Sequence, residues 1–589
     1  AAEPDLAASS SPSSAAEEES SPETRRGGDR TPRIAIVGGG LAGVTAASAL
    51  ASRMNDRLVP PIDAEIVVYE ADPKAYDESR GEEGESFFDV RRKDQPEWKA
   101  AAAKNANSLV PGASMHVMSR RMTLLEILGD AMNEWIMLRV DKLRRFVSPD
   151  NDAKGVDNNF DIPPPYFALH PFRCLGPSAS RDERLSFLTF LSHFVPTSLL
   201  TGAKRADERG RHLVKLARAN RALFLRDVRN RTDAPTDRDR GESSLERKIG
   251  LGTGFVSLHR SPEKAERAER EVLDAGERAE TLTWDEVTAV EPRIQNLPFG
   301  PLRAVHRLDD NTADCATYVR DVIRRVDSMG VEYVKSGAGA IGGVERIAPS
   351  PASTAADDEK NRPRFRVTAS DGTSNDHDYL ILAAGVHTPL LARQIGAGRS
   401  CPTYPLRGYS LTVHTEPKTD GELRRRLRDE DESINLLRRA FSVDNIYCSS
   451  VGPNTARLAG FGELCGYPEK AKTVESAGPG VLTRYGRTLF PDGDADERSA
   501  LQCFRPVSPD DLPIVGEATA VPGLFLHTGH GTLGWTLSLA TAECVARAVT
   551  DRIEGRAVPG GGTFDLPGGE SIDRDLLSPD RFVRGGARR

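Results

Sequence analysis

Apolar residues near the start of the chain occur in a strand–helix–strand order. Residues 33–37 form a short apolar run, which is typical of a buried strand. The alanine-rich stretch 41–53 predicts a helix, and residues 64–69 predict a second strand. A β-α-β unit is therefore expected close to the N-terminus.

Strand and helix patterns recur along the rest of the chain. Further strands are predicted at 331–334, 342–346, 365–369, 379–383, 411–414, 456–461 and 524–527, and helices at 120–147, 185–200, 261–275, 313–329 and 536–552. Thr283 and Glu286 have the spacing of a helix capping box. The apolar stretches 120–147 and 185–200 are interpreted as core helices, or alternatively as a surface that contacts a membrane or a partner.

Polar residues concentrate in the two ends and in three internal segments. Residues 1–31 are rich in Ser, Ala, Glu and Pro, which predicts a disordered tail and leaves a phosphorylated regulatory tail as an alternative. Segments 71–100, 228–243 and 349–362 are interpreted as insertions. The Gly-rich residues 557–589 are expected to be largely irregular.

The charge balance argues against a nucleic-acid surface. The 589 residues carry a net charge of -8, of which about half lies in the first 30 residues. The remainder is only mildly acidic and shows no clustering of Lys and Arg. Seven widely spaced cysteines without a C-x-x-C pair make a disulfide scaffold or a zinc site unexpected, and no metal site is predicted.

A glycine-rich turn connects the first strand to the first helix. Gly38, Gly40 and Gly43 form the pattern G-x-G-x-x-G, with Leu41 and Ala42 between the last two glycines. The first glycine permits a tight turn, the second allows the backbone to approach a pyrophosphate, and the third allows helix and strand to pack closely. Glu70, at the end of the second strand, is positioned to accept hydrogen bonds from ribose hydroxyls. The pattern predicts a dinucleotide site but does not distinguish NAD from FAD.

Two motifs near the C-terminus favour FAD over NAD. The stretch 505–516 reads R-P-V-S-P-D-D-L-P-I-V-G, and residues 528–536 read T-G-H-G-T-L-G-W-T. Together they resemble the closing motifs of the D-amino-acid oxidase superfamily of FAD enzymes, and the second resembles its D-amino-acid dehydrogenase branch. Other segments similar to that branch are N-A-N-S-L-V-P at 105–111, Asp314-Cys315, A-A-G at 383–385 and Y-P-L-R-G-Y-S-L-T at 404–412.

The resemblance implies an α/β fold with two interleaved domains. A discontinuous Rossmann-like FAD-binding domain would contain an inserted α+β substrate domain that is built on an antiparallel sheet. We assign 32–120, 291–400 and 501–556 to the FAD-binding domain, and 121–290 and 401–500 to the substrate domain. FAD is the expected cofactor.

The same resemblance implies which residues hold FAD. In addition to the glycine turn and Glu70, the expected contacts come from the segment after the second strand, from the A-A-G segment and from the loop before the last helix. These residues are Asn105, Ala384, Gly385, Gly529, Gly531, Thr532, Leu533, Gly534 and Trp535. The helix that begins after this loop favours an electron-rich atom at its N-terminus.

The resemblance also implies oxidative deamination of D-amino acids by hydride transfer from the α-carbon to the flavin. The expected anchor of the substrate carboxylate is Arg505. Arg407 is a second candidate for the carboxylate or the flavin, or else belongs to a surface ion pair. Tyr409 is predicted either in the substrate pocket or in the core, and His530 either at the substrate or in a structural role. Ser508 stands where animal and yeast oxidases have an arginine, which favours a dehydrogenase.

Two other functions remain open at this stage. A glycine- or sarcosine-type amine oxidase would share every flavin motif, and the insertions leave room for a flavoprotein assembly factor without turnover. The expected partners are a small amine or amino acid, and a quinone or oxygen as electron acceptor, with peripheral membrane contact as a further hypothesis. The expected location is mitochondrial or cytoplasmic.

Overall fold

The computed structural model describes residues 31–55, 64–70, 108–109, 167–200, 203–229, 244–298, 303–334, 341–347, 364–415, 436–452, 454–471, 476–556 and 561–583. Several sequence predictions lie outside these residues: the tail 1–30, the insertions 71–100 and 349–362, most of 228–243, Asn105, and the helix 120–147.

The strands in chain order are β1 Arg33–Val37, β2 Glu65–Tyr69, β3 Ser108–Leu109, β4 Phe167–Leu169, β5 Gly252–His259, β6 Ala279–Leu282, β7 Arg303–Thr312, β8 Glu332–Val334, β9 Ile341–Ile347, β10 Arg364–Ala369, β11 Ser374–His377, β12 Tyr379–Leu382, β13 Tyr404–His414, β14 Ala440–Val443, β15 Ile446–Gly452, β16 Thr455–Leu464, β17 Leu501–Val507, β18 Ile514–Glu517, β19 Leu524–Thr528, β20 Thr563–Leu566 and β21 Glu570–Asp573.

The α-helices are α1 Leu41–Asn55, α2 Pro171–Leu175, α3 Arg181–Leu200, α4 Ala203–Arg229, α5 Ser244–Lys248, α6 Pro262–Asp274, α7 Trp284–Val290, α8 Cys315–Ser328, α9 Thr388–Gln394, α10 Pro468–Ala471, α11 Gly478–Leu489, α12 Gly534–Ile553 and α13 Arg574–Leu577. The capping box predicted at Thr283 and Glu286 is present at the start of α7. Among the described residues, none of the helices combines the length and apolar character required to cross a membrane.

A six-stranded sheet has the order β18-β19-β12-β1-β2-β8. All neighbouring pairs are parallel except β18 with β19. Its short strands are mostly apolar, as expected of a sheet that is covered on both faces. Helices α1, α4, α8 and α12 pack on one face, and the three-stranded antiparallel sheet β9–β11 packs with α9 on the other. The predicted α/β class with a parallel sheet is confirmed.

A ten-stranded sheet follows the order β17-β13-β16-β15-β14-β5-β7-β3, with β4 beside β16 and β6 beside β7. Most of its pairs are antiparallel. One face carries the apolar side chains of Tyr409, Leu411, Phe441 and Leu458, and α11 packs against them. We call this side the core face.

The opposite side of the ten-stranded sheet carries polar residues. Directly opposed residues in an antiparallel pair point to the same side. Thr412 and Ser449 are both opposite Arg457, and alternation along β13 and β17 adds Ser410 and Arg505. We call this side, defined by those five residues, the polar face.

Three elements pair or pack outside the groups to which the sequence assigns them. Strand β7 was assigned to a segment of the FAD-binding domain that begins at 291, yet it pairs with β5 and β6 in the ten-stranded sheet. Strand β17 was assigned to the segment that begins at 501, yet it pairs with β13 in the same sheet. Helix α4, expected in the other domain, packs against α12 beside the parallel sheet.

The C-terminal segment was expected to be irregular, and this expectation is wrong for residues 561–583. Strands β20 and β21 form an antiparallel hairpin, closed by a turn in which Gly568 and Gly569 adopt positive φ. Phe564, Leu566 and Ile572 are buried in the core beside α4 and α12. Glycine therefore marks the turn and not a lack of structure.

Candidate active site

The glycine turn after β1 is held against two neighbouring strands. Gly38 has φ 109°, and its amide N–H donates to the carbonyl of Tyr69 at 2.9 Å. A Cβ at this position would lie 2.5 Å from the carbonyl oxygen of Ala383. Residue 38 must therefore be glycine, both for its backbone conformation and for its contact with the end of β12.

Gly43 and Gly40 differ in what surrounds them. A Cβ on Gly43 would lie 1.8 Å from the carbonyl oxygen of Gly38, which shows how closely α1 approaches the turn. A Cβ on Gly40 would meet no atom within 4 Å. The turn thus leaves open space at the N-terminus of a 15-residue helix, where backbone amides and the helix dipole favour a phosphate. These residues fit the pyrophosphate of FAD.

Glu70 lies at the end of β2, beside the same turn. Its Oε2 accepts a hydrogen bond from the Gly39 amide at 2.8 Å. The hydroxyl of Tyr333, in β8, donates to the Gly39 carbonyl at 3.0 Å. Burial and the nearby Glu70 carboxylate raise the pKa of Tyr333, so its hydroxyl keeps its proton. The position of Glu70 fits its predicted contact with ribose, and Tyr333 is a support that the motif did not reveal.

Ala384 and Gly385 follow β12 at the same end of the parallel sheet. Gly385 has φ 55° and open space around its α-carbon. Its carbonyl accepts a hydrogen bond from the Thr528 hydroxyl at 3.3 Å. The A-A-G segment therefore lies beside the loop that follows β19, as expected of two segments that hold one cofactor.

The loop 529–534 follows β19 of the parallel sheet and contacts β17 of the ten-stranded sheet. Val507, the last residue of β17, forms an isolated antiparallel bridge with His530. A cleft at this junction is lined by Leu213, Val507, Ser508, Asp511 and residues 529–533. Gly529 and Gly531 both have positive φ, and α12 begins at Gly534. The loop is thus suited to place backbone amides and a helix N-terminus at a cofactor ring.

His530 belongs to a buried hydrogen-bond network. The Nε2 atoms of His530 and His527 each lie 2.9 Å from the Thr541 hydroxyl. Burial lowers the pKa of His530 to about 4, and burial with the adjacent His530 lowers the pKa of His527 well below its usual value. Both rings are neutral and turned towards α12. Of the two roles predicted for His530, these hydrogen bonds favour the structural one.

Trp535 also points into the core and not towards a cofactor. Its indole is 1% exposed and packs edge-on against Phe224, with ring centroids 5.3 Å apart. Its carbonyl accepts a hydrogen bond from the Asn220 side chain at 3.3 Å, and Asn220 Oδ1 accepts one from the Leu539 amide at 2.7 Å. This ring therefore fastens α12 to α4, and the cofactor contact expected at Trp535 stays a prediction.

Arg407 and Tyr409 lie on the core face, away from Arg505. Arg407 is fully buried and forms an ion pair with Glu463. Although burial opposes it, the Glu463 carboxylate raises the pKa of Arg407. The Tyr409 hydroxyl donates to the same carboxylate at 3.2 Å, and its ring is 1% exposed. Arg407 therefore belongs to an ion pair in the core. This position fits neither the predicted carboxylate site nor the predicted surface ion pair. Tyr409 likewise belongs to the core.

Arg505, the predicted anchor of the substrate carboxylate, lies on the polar face. Its Nη1 donates to the Phe461 carbonyl at 2.7 Å, and the side chain is half-buried. The guanidinium lies over Gly408, where a Cβ would approach Nη1 to 2.3 Å. Gly408 therefore makes room for the arginine.

Two supports of the site were not found by sequence reasoning. Arg457 shares the polar face, and its only sequence signal is a charged residue between apolar neighbours in β16. Arg581, in the C-terminal segment, donates to both carboxylate oxygens of Asp510 at 2.9 and 3.0 Å and to the Leu512 carbonyl. It fixes the segment next to the cleft, and its distance in sequence hides this role.

Comparison with known proteins agrees with this geometry. The family described as FAD dependent oxidoreductase (DAO) matches residues 194–548. D-amino acid dehydrogenase from Paramagnetospirillum magneticum is 31% identical over 322 residues, which is 54% of this chain and 64% of the relative. D-amino acid dehydrogenase from Cereibacter sphaeroides is 30% identical over 395 residues, covering 65% and 75%. The chain thus spans slightly less than two thirds of the first of these relatives.

A solved structure supports the fold. Iminodiacetate oxidase from Chelativorans sp. BNC1 superimposes with a TM-score of 0.50 and 14% identity, over 90% of this chain and 97% of that one. The glycine turn, the cleft and the match over residues 194–548 lead to one conclusion. This chain belongs to the DAO family of FAD-dependent oxidoreductases.

Proposed function

We propose that this protein oxidises D-amino acids by oxidative deamination. The observation that carries the proposal is the bridge between Val507 and His530, which brings β17 and its Arg505 next to the loop ahead of α12. A guanidinium on the polar face is suited to a carboxylate, and the strand that carries it ends at the segment that fits the flavin. The names of the relatives support the same substrate class.

In this proposal the parallel sheet with its glycine turn forms the FAD-binding domain, and the ten-stranded sheet forms the substrate domain. FAD, when bound, supplies a hydride acceptor. Arg505 fixes the orientation of the α-carboxylate, which places the α-carbon for transfer. The neutral pair His527 and His530 is turned towards Thr541, so neither ring serves as a base. The substrate amine loses its proton to solvent before transfer.

A substrate and acceptor screen tests this function. The full-length holoprotein is mixed with D-alanine, D-proline, glycine or sarcosine, with either oxygen or a quinone-like dye as acceptor. We expect dye reduction with the D-amino acids and little peroxide. Peroxide release with glycine or sarcosine, without dye-linked turnover of D-amino acids, would favour an amine oxidase. Tight FAD that no amine reduces would favour an assembly factor.

A further inference from the structure

The polar face carries two arginines that approach each other along β13. Arg505 is opposite Leu406, but its guanidinium reaches over Gly408, two residues further along β13. Arg457 is opposite Thr412, and its Nε donates to the Thr412 hydroxyl at 3.4 Å. The two charged groups therefore lie on one face, at the levels of residues 408 and 412.

Ser410 lies between these two levels, on the same face. Its side chain is 1% exposed, and its hydroxyl has no hydrogen-bond partner among the described residues. Ser410 therefore places a small uncharged side chain between the two arginines.

Asp314 is the acidic residue whose charge acts most strongly on Arg457. Its carboxylate caps α8: Oδ1 accepts from the Ala316 amide at 3.1 Å and Oδ2 from the Thr317 hydroxyl at 2.5 Å. Burial lowers the pKa of Arg457 although Asp314 opposes the change. An arginine still keeps its charge, so an anionic ligand beside Arg457 would offset the cost of burial.

The spacing along β13 suggests the size of the ligand. Four residues of strand span about 13 Å, at about 3.3 Å per residue. In a guanidinium–carboxylate contact the two central carbons lie about 4 Å apart. Two such contacts, one at each arginine, leave about 5 Å between the two carboxylate carbons of the ligand. That separation suits an amino acid with a carboxylate on a side chain of one or two methylenes.

We infer that the preferred substrate is an acidic D-amino acid, with its α-carboxylate on Arg505 and its side-chain carboxylate on Arg457. This inference rests on the proposed function and adds a substrate class to it. Arg457 acts as a specificity-determining residue.

Matched substrates test the inference without changing the reaction. Dye-linked kcat/KM is measured on the full-length holoprotein with D-aspartate and D-glutamate, and with their neutral amides D-asparagine and D-glutamine. We expect the acids to exceed the amides by at least about tenfold, because a hydrogen bond to a charged group contributes about 10- to 100-fold. Arg457→Gln should lower the acid-to-amide ratio by about the same factor, mainly through KM.

Two further variants separate this effect from a loss of folding. Arg457→Lys keeps the positive charge and should retain more of the ratio than Arg457→Gln. Arg366→Gln removes an arginine of the three-stranded sheet that pairs with Asp376, and should leave the ratio unchanged. A wild-type ratio near one, with D-amino acids still oxidised, would overturn the inference and leave the proposed function standing. Failure of every D-amino acid to reduce the flavin would overturn the proposed function itself.

Discussion

Val507 and His530 form an isolated antiparallel bridge that joins the ten-stranded sheet to the loop ahead of α12. Val507 ends the strand that carries Arg505, and His530 is fixed by Thr541 from inside α12. The relative position of the polar face and the cofactor loop is therefore set by backbone contact between two chain segments.

Substitutions in the glycine turn should affect cofactor binding and folding separately. Gly40→Ala adds a Cβ in open space, so we expect the apoprotein to unfold at nearly the same temperature while FAD affinity falls at least about tenfold. Gly43→Ala should destabilise the apoprotein itself, because its Cβ would collide with the Gly38 carbonyl. Thermal unfolding and flavin titration measure the two effects.

Gly343→Ala is the matched control, since a Cβ there makes ordinary contact with Gln394 at 3.5 Å. It should change neither FAD affinity nor unfolding temperature. Unchanged FAD affinity in Gly40→Ala would contradict the assignment of this turn to the pyrophosphate.

The ion pair between Arg407 and Glu463 should matter for stability and not for substrate binding. Arg407→Met leaves a buried carboxylate without its cationic partner, which costs about 3–5 kcal/mol of unfolding free energy. Adding Glu463→Gln should recover part of that loss. Denaturant unfolding measures the stability, and KM per flavin-bound molecule should stay close to wild type. A stable Arg407→Met protein with a strongly raised KM would restore Arg407 as a substrate residue.

The buried His530 should make folding sensitive to acid. Its folded pKa of about 4 is below its value in the unfolded chain, so protonation favours unfolding. The contribution is fully present above pH 6.5 and is lost as the pH falls towards 4, by about 3 kcal/mol for a shift of this size. Unfolding free energy measured across this range should fall more steeply in wild type than in His530→Asn.

His414→Gln, which changes an exposed histidine, serves as the control and should leave the slope unaltered. Equal slopes in wild type and His530→Asn would show that this ring is not buried in the neutral form.

Local signals predicted the elements of the parallel sheet well. The apolar runs at β1, β2 and β12 and the glycines after β1 act over a few residues, so the sequence alone indicates strand, turn and helix. Strand partnership is different in kind. Whether β7 and β17 join one sheet or the other depends on pairing with β5 and β13, which are distant in sequence and leave no local trace.

In the site, too, residue types could be predicted locally, whereas their positions depend on strands that are distant in sequence. The resemblance gave Arg407, Tyr409 and Arg505 without stating on which face of the sheet each lies. Alternation puts Arg407 and Tyr409 together, but only the partner strands and the packing of α11 show that their face is the core. Arg457 was missed because a single charge in an apolar strand is ambiguous until the opposing Thr412 and Ser449 are known.

The most direct test of the central claim is anaerobic reduction of the bound flavin by D-amino acids, in wild type and in Arg505→Gln. Loss of absorbance at the flavin band is followed after rapid mixing with D- and L-enantiomers. We predict bleaching with D-enantiomers in wild type, and in Arg505→Gln a concentration for half-maximal rate at least about tenfold higher with FAD retained. Bleaching by neither enantiomer, or an Arg505→Gln protein that behaves as wild type, would contradict the account.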